Sequence, residues 1–334
     1  MDRKEHYPLK SLHTFHTDAV ARYYSGFSSP DGLEVLRQSE VPLLVLGGGS
    51  NLLFTKDFDG WILHNEIKGI SLVHEDDDHV FLRIGAGENW HQLVLYTLDK
   101  GWCGLENLAL IPGSVGASPI QNIGAYGVEL QDVFWDLEAY MIHEGTISTF
   151  SLNDCAFGYR DSVFKNKLKG QCIILTVGLR LSKKPLFHAS YGALQAELDK
   201  MGVVTPTQRI IAQAVMNIRQ RKLPDPDHIG NAGSFFKNPV VSSTQLEKLK
   251  IKYPDIVSFP QPDGRVKLAA GWLVEQCGWK GYRNGDAGCH EQQALVLVNY
   301  GNASGADIYD LSEQIRRSVW DAFEVQLERE VNVY

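Results

Sequence analysis

The segment 112–127 limits what this chain can fold into more than any other feature. It reads Pro-Gly-Ser-Val-Gly-Ala-Ser-Pro-Ile-Gln-Asn-Ile-Gly-Ala-Tyr-Gly, and nothing in a packed core requires so many small residues. Such residues let the backbone approach a bound group closely and present several N–H donors to it. A second glycine turn, 46–51, directly follows the apolar run 41–45. Because a strand that leads into a glycine turn is where α/β-type proteins hold phosphate, the two segments predict a phosphate-bearing ligand.

Neither glycine segment carries a standard nucleotide fingerprint. A Rossmann turn needs G-x-G-x-x-G between a strand and a helix, but apolar residues 52–54 follow 47–51 at strand-like spacing. The chain also has no G-K-[ST], so a Walker A loop is absent. A phosphate-bearing cofactor would therefore sit in another architecture. The alternative is that both segments are simply tight turns.

Composition and charge narrow the class of protein. A chain of 334 residues with a net charge of −8 has room for two or three domains, and its 44% hydrophobic residues are ordinary for a globular protein. No basic block occurs, so nucleic acid is not an expected partner, whereas a small anionic ligand is compatible with single Arg or Lys residues. The acidic run 75–78 predicts a solvated hairpin tip.

Nothing in the sequence predicts a membrane segment or a secretory route. The polar residues 1–6 precede no apolar signal core, and runs such as 172–175 are too short to span a bilayer. The five cysteines are scattered and form no CxxC pair. We therefore expect reduced thiols and a cytoplasmic location, without a disulfide scaffold or a metal site.

Hydrophobic patterning predicts mostly strands in the first half and more helices in the second. Apolar or β-branched runs predict strands at 41–45, 61–64, 80–84, 133–141 and 172–181. A helix is predicted at 90–98, with Gly101 as its stop. The pattern changes in 200–226, where we place a domain boundary.

Two helices are predicted in the second half. The first has capping-box spacing in 205–208, with Pro206 at the first helical position, and Pro224 ends it. Its apolar stripe consists of Ile210, Ile211, Ala214, Val215 and Ile218, and its closing cations are Arg219, Arg221 and Lys222. The last helix starts after Ser304, and its predicted inward residues are Ile308, Leu311, Ile315 and Val319.

Three further positions are candidates for chemistry. Arg160 lies between an aromatic residue and a carboxylate, where it either makes a surface salt bridge or meets a substrate carboxylate or a developing enolate. Ser234 follows a glycine and precedes two phenylalanines, and either caps a backbone group or acts as a neutral proton donor. Residues 327–334 alternate like a strand, which by itself gives Glu330 no role.

Six segments, taken in order, resemble the family of UDP-N-acetylenolpyruvoylglucosamine reductases, flavoenzymes of peptidoglycan precursor synthesis. They are Leu-Gly-Gly-Gly-Ser-Asn at 46–51, the glycine-rich run at 111–127, Phe-Gly-Tyr-Arg-Asp-Ser at 157–162, Gly-Asn-Ala-Gly-Ser-Phe-Phe-Lys-Asn-Pro at 230–239, Lys-Leu-Ala-Ala-Gly-Trp at 267–272 and Leu-Glu-Arg-Glu-Val at 327–331. They span nearly the whole chain, and 230–239 with 253–264 is similar to the longer, type I branch. The resemblance implies an α+β fold, in which a two-part FAD-binding module of the vanillyl-alcohol-oxidase type is joined to a C-terminal α+β substrate domain.

The resemblance also implies domain bounds and a reaction. Residues 1–70 would form the first FAD-binding subdomain, with 325–334 returning to it, residues 71–220 the second, and 221–324 the substrate-binding domain. NADPH would reduce non-covalently bound FAD. Hydride from flavin N5 and a proton would then convert UDP-N-acetylglucosamine enolpyruvate to UDP-N-acetylmuramate. The expected protein is a cytoplasmic monomer with these small-molecule partners and with neither nucleic acid nor membrane.

The family pattern also implies the site residues. Arg160 and Glu330 would face an enolate that Ser234 protonates. An ionised Glu330 would repel that enolate, so it is either protonated or orients Arg160 or a water. The cofactor-binding residues would be Gly47, Gly48, Gly49, Ser50, Asn51, Ser114, Gly116, Ala117, Ile120, Gln121, Asn122, Gly124 and Tyr126. The substrate-binding residues would be Tyr191, Lys222, Asn238 and Gln293, the last beside Gln292.

One position departs from the type I pattern. That branch carries a tyrosine before a Pro-Gln pair, and its hydroxyl reaches the substrate diphosphate. Here Phe259 precedes Pro260 and Gln261. Either Tyr253 supplies the missing hydroxyl or the contact is lost, and a lost contact lowers substrate affinity.

Two alternatives stay open on the sequence. Another FAD-dependent alcohol or sugar oxidoreductase of the same module would share the glycine segments, but it has no reason to carry Arg160, Ser234 and Glu330 together. A non-catalytic nucleotide-sugar-binding protein would carry no tightly bound yellow chromophore.

Overall fold

The computed structural model describes residues 1–185, 187–188 and 192–334. The strands are β1 Lys4–Pro8, β2 Val20–Phe27, β3 Leu43–Leu46, β4 Leu52–Leu53, β5 Phe58–Asn65, β6 Ile70–Glu75, β7 His79–Gly85, β8 Gly124–Ala125, β9 Val128–Glu129, β10 Phe134–Met141, β11 Thr146–Ser151, β12 Cys172–Ser182, β13 Gly230–Ser234, β14 Val240–Val241, β15 Ser258–Pro260, β16 Val266–Leu268, β17 Arg283–Asn284, β18 Ala287–Cys289, β19 Val296–Asn299 and β20 Asn332–Val333. The α-helices are α1 Trp90–Asp99, α2 Leu152–Cys155, α3 Gly192–Lys200, α4 Gln208–Lys222, α5 Ser243–Lys252, α6 Ala270–Gln276 and α7 Gly305–Phe323.

The chain forms two compact units, each assembled from separate stretches of sequence. The first unit consists of residues 1–7, 21–49 and 59–221, and the second of residues 8–20, 50–58 and 222–334. The change of unit after residue 221 falls inside the predicted boundary region. The two short N-terminal stretches of the second unit were not predicted. The finer division into three domains stays a prediction.

Two main sheets make up the first unit. One has the order β1-β2-β5-β3, in which β3 and β5 run parallel. The other is antiparallel, with the order β11-β10-β12-β7-β6. Helices α1 and α4 contribute to the same buried core as the central strands of the second sheet. The five predicted strands are confirmed, with ends that agree to within three residues.

Local signals set the ends of α1 as predicted. The Asn89 side chain accepts a hydrogen bond from the Gln92 N–H at 3.0 Å, which caps the first turn. Leu93, Val94 and Leu98 are buried on one face of the helix. Gly101 has a φ of +76°, a left-handed conformation that glycine adopts readily, so the helix cannot continue through it.

The second unit contains three small sheets and the longest helix. The sheet orders are β13-β19-β18-β17, β14-β16-β15 and β20-β4, the last pair parallel. Helix α7 starts at the predicted Ser304, whose side chain accepts the Asp307 N–H in a capping box. The predicted inward residues of α7 are all buried: Ile308, Leu311, Ile315 and Val319.

The predicted start of α4 is wrong by two residues. The helix begins at Gln208. Its capping residue is Thr207 instead of the predicted Thr205, because the Thr207 hydroxyl accepts the Ile210 N–H at 3.3 Å. Both threonines are good caps, but Thr207 lies next to the first helical residue, and its carbonyl also accepts the Ile211 N–H. Pro206 therefore lies outside the helix. The predicted hairpin tip at 75–78 is confirmed between β6 and β7.

The next observations concern cysteines, membrane spans and metal ligands in the described part of the chain. All five cysteines are free thiols. Within the described ranges, no helix combines the length and apolarity needed to cross a bilayer. In the same part of the chain, no three His, Cys, Asp or Glu side chains come together as a metal site requires.

Candidate functional site

The two predicted glycine segments pack directly against each other in the first unit. A Cβ added to Gly47 would lie 2.1 Å from the Ser114 Oγ. A Cβ on Gly48 would lie 2.8 Å from the Cα of Gly113. Real Cβ atoms do not approach other atoms so closely, so these positions admit only glycine without rearrangement. The two segments therefore form one continuous wall.

A cavity of about 100 Å³ lies against this wall. Its lining consists of Val45, Gly47, Asn65, Ala86, Ser114, Gly116, Ala117, Ile120, Cys172 and Ile174. Five of the predicted cofactor residues are among them: Gly47, Ser114, Gly116, Ala117 and Ile120. A Cβ on Gly116 would lie 2.5 Å from the Ala86 Cβ, so a glycine is needed here as well. The cavity thus has a backbone cradle on one side.

Half of the cavity lining was missed from the sequence, because most of those residues are distant in sequence from both glycine segments. Among the missed residues, Asn65 is a buried amide at the end of β5. The sequence clue to it was an amide directly after the predicted strand 61–64. Its Nδ2 donates to the Ile174 carbonyl at 2.8 Å, and its Oδ1 accepts the Ile67 N–H. Burial raises the pKa of Cys172 to about 11, so this thiol stays neutral at physiological pH.

The 112–127 segment offers fewer N–H donors than predicted. Gly116 donates its N–H to the Ala86 carbonyl at 2.8 Å, and Ala117 donates to Ser114 at 3.1 Å. These bonds hold the short helical turn in place and use two of the N–H groups that the sequence offered to a ligand. The segment contributes shape, and its remaining backbone and side-chain groups carry any polar contact.

The buried side chain of Asn122 holds the backbone of the 112–127 segment in place through hydrogen bonds. Its side chain is fully buried, and its Nδ2 donates to Glu129 Oε2 at 2.8 Å and to the Gly158 carbonyl at 3.2 Å. Its Oδ1 accepts the Gln131 N–H at 3.0 Å. The amide that the sequence assigned to the cofactor is thus used within the protein, and it supports the left-handed backbone of Asn122 itself, with a φ of +43°.

The remaining predicted cofactor residues fall in both units. In the first unit, Gly49 has a φ of +61°, Gln121 is partly buried beside Asn122, and Gly124 starts the short β8–β9 hairpin. Tyr126 lies at the tip of that hairpin with a φ of +49°. Ser50 and Asn51 belong to the second unit.

Arg160 lies at the tip of a tight turn that is bonded to the 112–127 segment. Gly158 and Asp161 exchange backbone hydrogen bonds of 3.0 and 3.2 Å, which leaves Arg160 with a φ of +53°. The Arg160 Nη2 donates to the Gly124 carbonyl at 2.5 Å, and the Ser162 hydroxyl donates to the Ile120 carbonyl at 2.7 Å. A non-glycine residue in this conformation costs free energy, which the surrounding bonds offset. The guanidinium is therefore held in one place.

In the second unit, backbone pairing brings Ser234 and Glu330 together. Ser234 is the last residue of β13, and the next carbonyl, that of Phe235, accepts the Glu330 N–H at 2.9 Å. The Asn51 side chain donates to the Glu330 carbonyl at 3.4 Å. Arg329 donates to the Ser312 hydroxyl at 2.9 Å and pairs with Glu313 on α7. The backbone around Glu330 is thus fixed on three sides.

Two predicted substrate residues, Asn238 and Gln293, each lie near the first turn of α6. The Asn238 Oδ1 accepts the Ala270 N–H at 2.9 Å. The Gln293 Oε1 lies 3.3 Å from the position of a Cβ on Gly271. Gln292 is exposed, so it is Gln293 that approaches the helix.

The other two predicted substrate residues are placed differently. Lys222 is the exposed last residue of α4 and is assigned to the second unit. Tyr191 lies outside the described residues.

The tyrosine that could replace the missing hydroxyl is engaged elsewhere. The Tyr253 hydroxyl donates to the Ala322 carbonyl at 3.3 Å, and its ring lies 4.5 Å from that of Phe323. Phe259 lies on β15, 45% exposed, opposite Lys267 on β16. Tyr253 therefore belongs to the core of the second unit, and Phe259 brings no hydroxyl of its own.

Sequence comparisons identify the class of protein and then the family. A family model described as an FAD binding domain matches residues 31–151, and the fold is an FAD-binding fold of the vanillyl-alcohol oxidase type joined to a C-terminal domain. A second model, described as UDP-N-acetylenolpyruvoylglucosamine reductase, C-terminal domain, matches residues 225–334. Relatives named UDP-N-acetylenolpyruvoylglucosamine reductase include one from Amoebophilus asiaticus, 53% identical over 100% of this chain and 99% of its own. One from Pseudomonas putida is 48% identical over 99% and 98%. The chain belongs to the UDP-N-acetylenolpyruvoylglucosamine reductase family.

Solved structures agree on the fold. The UDP-N-acetylenolpyruvylglucosamine reductase of Thermus caldophilus superposes with a TM-score of 0.69 at 24% identity, covering 100% of this chain and 98% of its own. A 4-ethylphenol oxidase from Gulosibacter chungangensis superposes with a TM-score of 0.52 at 11% identity, covering 97% and 84%. The second similarity extends the fold to oxidases of other substrates.

Proposed function

We propose that the chain reduces UDP-N-acetylglucosamine enolpyruvate to UDP-N-acetylmuramate, with NADPH as reductant and non-covalent FAD as cofactor. The observation that carries the proposal is the 53% identity, over the full length of both chains, to a relative named for this activity. The alternative is the oxidation of an alcohol or sugar on the same module, since an oxidase of known structure shares this fold.

The first unit would hold the flavin dinucleotide, and the packing of its two glycine segments supports this proposal. Glycines at 47, 48 and 116 allow that packing because a Cβ at each would meet protein atoms, and Gly47 and Gly116 also line the cavity of about 100 Å³. The residues we propose to hold the cofactor are Gly47, Gly48, Gly49, Ser50, Asn51, Ser114, Gly116, Ala117, Ile120, Gln121, Gly124 and Tyr126, with Asn122 supporting their backbone. When bound, FAD supplies a hydride that it has taken from NADPH.

Arg160 would stabilise the negative charge that develops on the substrate. An enol ether is electron-rich, so hydride addition to its terminal carbon is feasible only if charge on the neighbouring carbon spreads into the carboxylate. A cation already fixed in place lowers the energy of that charge without reorganising during the reaction. The bonds of Arg160 to Gly124 and of Ser162 to Ile120 support such a role.

Ser234 would complete the reaction as a proton donor. The enolate carbon is strongly basic, so a neutral hydroxyl is a sufficient acid, and solvent returns the proton to the serine oxygen afterwards. Glu330 would act beside it, either protonated or by orienting Arg160 or a water. The backbone pairing of Glu330 with Phe235 supports a joint role for Ser234 and Glu330.

The substrate's nucleotide part would be held by the second group of residues. Asn238 and Gln293 offer amide groups at the start of α6, and Lys222 would neutralise diphosphate charge as a mobile point cation. Tyr191 is proposed from the family pattern alone.

Domain roles and setting form part of the same proposal. Residues 1–70 with 325–334, and 71–220, would be the two flavin subdomains, and 221–324 would hold the nucleotide sugar. The protein would act as a cytoplasmic monomer on small molecules, without nucleic acid or membrane.

An anaerobic spectral titration tests the proposed function. The purified protein is expected to show a flavin spectrum, to bleach when NADPH is added, and to regain colour when UDP-N-acetylglucosamine enolpyruvate follows. A flavin that NADPH bleaches but this substrate does not restore would favour another flavin enzyme. A colourless protein that takes up no added FAD would overturn the proposal.

A further inference from the structure

Side chains of the segment 325–331 alternate between buried and exposed positions. Positions 326 and 328 are exposed. The buried residues are Val325, Leu327 and Val331. Arg329 continues this buried series, because an extended chain places every second side chain on the same side. A charged side chain therefore takes an inward position that the pattern otherwise gives to an apolar residue, while Glu330 belongs to the opposite side.

A polar socket on α7, formed by Tyr309, Ser312 and Glu313, receives the Arg329 side chain. The Arg329 Nε donates to the Ser312 Oγ at 2.9 Å, and its guanidinium pairs with Glu313 and lies 4.4 Å from the centre of the Tyr309 ring. Ser312 is fully buried, and its own hydroxyl donates to the Tyr309 carbonyl at 2.6 Å. Because only 16% of the Arg329 side chain is exposed, these contacts are largely shielded from water, which strengthens them.

The apolar pattern alone does not fix which glutamate stands beside the end of β13. The Glu330 N–H donates to the Phe235 carbonyl at 2.9 Å in the observed pairing. A shift of the segment by one residue would turn Glu330 inward, which the apolar pattern opposes. A shift by two residues would keep the alternation and bring Glu328 to the place of Glu330. It would also move Leu327 into the polar socket and Arg329 into an apolar site, where an unpaired guanidinium is costly.

We propose that Arg329 is a positioning residue, which fixes the register of 325–331 so that Glu330, and not Glu328, stands beside the end of β13. The inference rests on the proposed function for the part that Glu330 plays. Selecting one pairing over another is the best attested use of a buried ionic group. The apolar residues of the segment thus supply burial, and Arg329 supplies the choice of register.

The experiment compares Arg329→Leu, which fits the apolar pattern, and Arg329→Lys, which keeps the charge, with Arg317→Gln, which removes an exposed charge from α7. Amide hydrogen exchange at Glu330 is measured by NMR on the protein without substrate, and rapid mixing measures the two half-reactions. In Arg329→Leu we expect exchange at Glu330 to rise about tenfold or more and reoxidation by the substrate to slow about 10- to 100-fold, with reduction by NADPH unchanged. Arg329→Lys should restore part of both losses, and Arg317→Gln should change neither readout.

A second variant, Ser312→Ala, removes one partner of Arg329 without touching the segment and should shift both readouts in the same direction by less. Wild-type exchange at Glu330 in Arg329→Leu would overturn the inference. So would equal slowing of both half-reactions together with faster exchange along α7, because that pattern marks a general loss of stability. If the substrate does not reoxidise the wild-type flavin, the proposed function fails instead, and the exchange measurement still decides whether Arg329 sets the register.

Discussion

Ser234 and Glu330 are neighbours because two distant stretches of chain pair side by side. The pairing uses backbone atoms of Phe235 and Phe236 with Glu330 and Arg329, so it does not depend on the two candidate side chains. Substituting Ser234 should therefore leave this pairing intact. The same reasoning applies to Arg160, whose turn is closed by backbone bonds between Gly158 and Asp161.

Ser234→Ala should separate the two halves of the proposed reaction. Reduction by NADPH should stay near the wild-type rate, because the serine takes no part in it. Reoxidation by the enolpyruvyl substrate should slow by about 10²- to 10⁴-fold, the usual contribution of a positioned proton donor. Rapid-mixing spectrophotometry measures both steps. A loss of the NADPH step alone would contradict the assigned role.

Phe259→Tyr should strengthen substrate binding. The new hydroxyl would stand on β15 at a half-exposed position, where the family resemblance implies a tyrosine. A hydrogen bond to a charged group contributes about 1.5–3 kcal/mol, so the substrate Kd should fall about tenfold or more. Tyr253→Phe is the matched control and should leave the Kd unchanged, since its hydroxyl bonds Ala322. An unchanged Kd in Phe259→Tyr would show that the diphosphate does not reach this strand.

At the scale of elements, the glycine segments show which structural features were predictable from the sequence and which were not. Their composition predicted a close approach of the backbone to a bound group, whereas the short Cβ distances at Gly47 and Gly48 show the two segments packed against each other. The partner of each glycine was not predictable, because Ser114 and Gly113 are distant in sequence. Strands and α7 were predictable, since their period and caps are local. The start of α4 was not, because two threonines compete to cap it.

Gly48→Ala should push the two glycine segments apart. The new methyl group would meet backbone atoms of Gly113, which cannot rotate away, while the backbone of Gly48 itself needs no positive φ. Overpacking of this kind costs about 1–3 kcal/mol and should weaken FAD binding at the same time. Gly192→Ala is the control, since a Cβ there meets no atom within 4 Å. Thermal melts and FAD titrations measure the two effects; equal behaviour of both variants would refute the close-packing explanation.

At the scale of the whole molecule, buried His13 links stability to pH. Its Nε2 contacts the Thr17 carbonyl at 3.1 Å, and burial lowers its pKa to about 4. In the unfolded chain the pKa is about 6.5, so below that pH only the unfolded state takes up the proton. The contribution of neutral His13 to the free energy of unfolding is therefore fully present above about pH 6.5. It is lost as the pH falls from 6.5 to 4, by about 3 kcal/mol in total at about 1.4 kcal/mol per pH unit.

Urea unfolding between pH 7.5 and 4 checks this prediction. His13→Gln should lower stability at neutral pH yet flatten the decline between about pH 6.5 and 4. His228→Gln is the control, because that side chain is exposed and should leave the decline as it is. An unchanged decline in His13→Gln would assign the acid sensitivity to other groups.

The interleaved course of the chain has a consequence for inheritance. Phe15 and Leu53 come from the short N-terminal stretches and belong to the core of the second unit, and β4 is paired with β20. A recombination event that exchanged everything after residue 221 between two homologous genes would combine a new C-terminal third with the old Phe15 and Leu53. Such chimaeras would carry mismatched cores even if each parent folds well. Lineages of this fold should therefore inherit the gene as one block. Substitutions at these N-terminal positions should be accompanied by compensating substitutions in the last third of the chain.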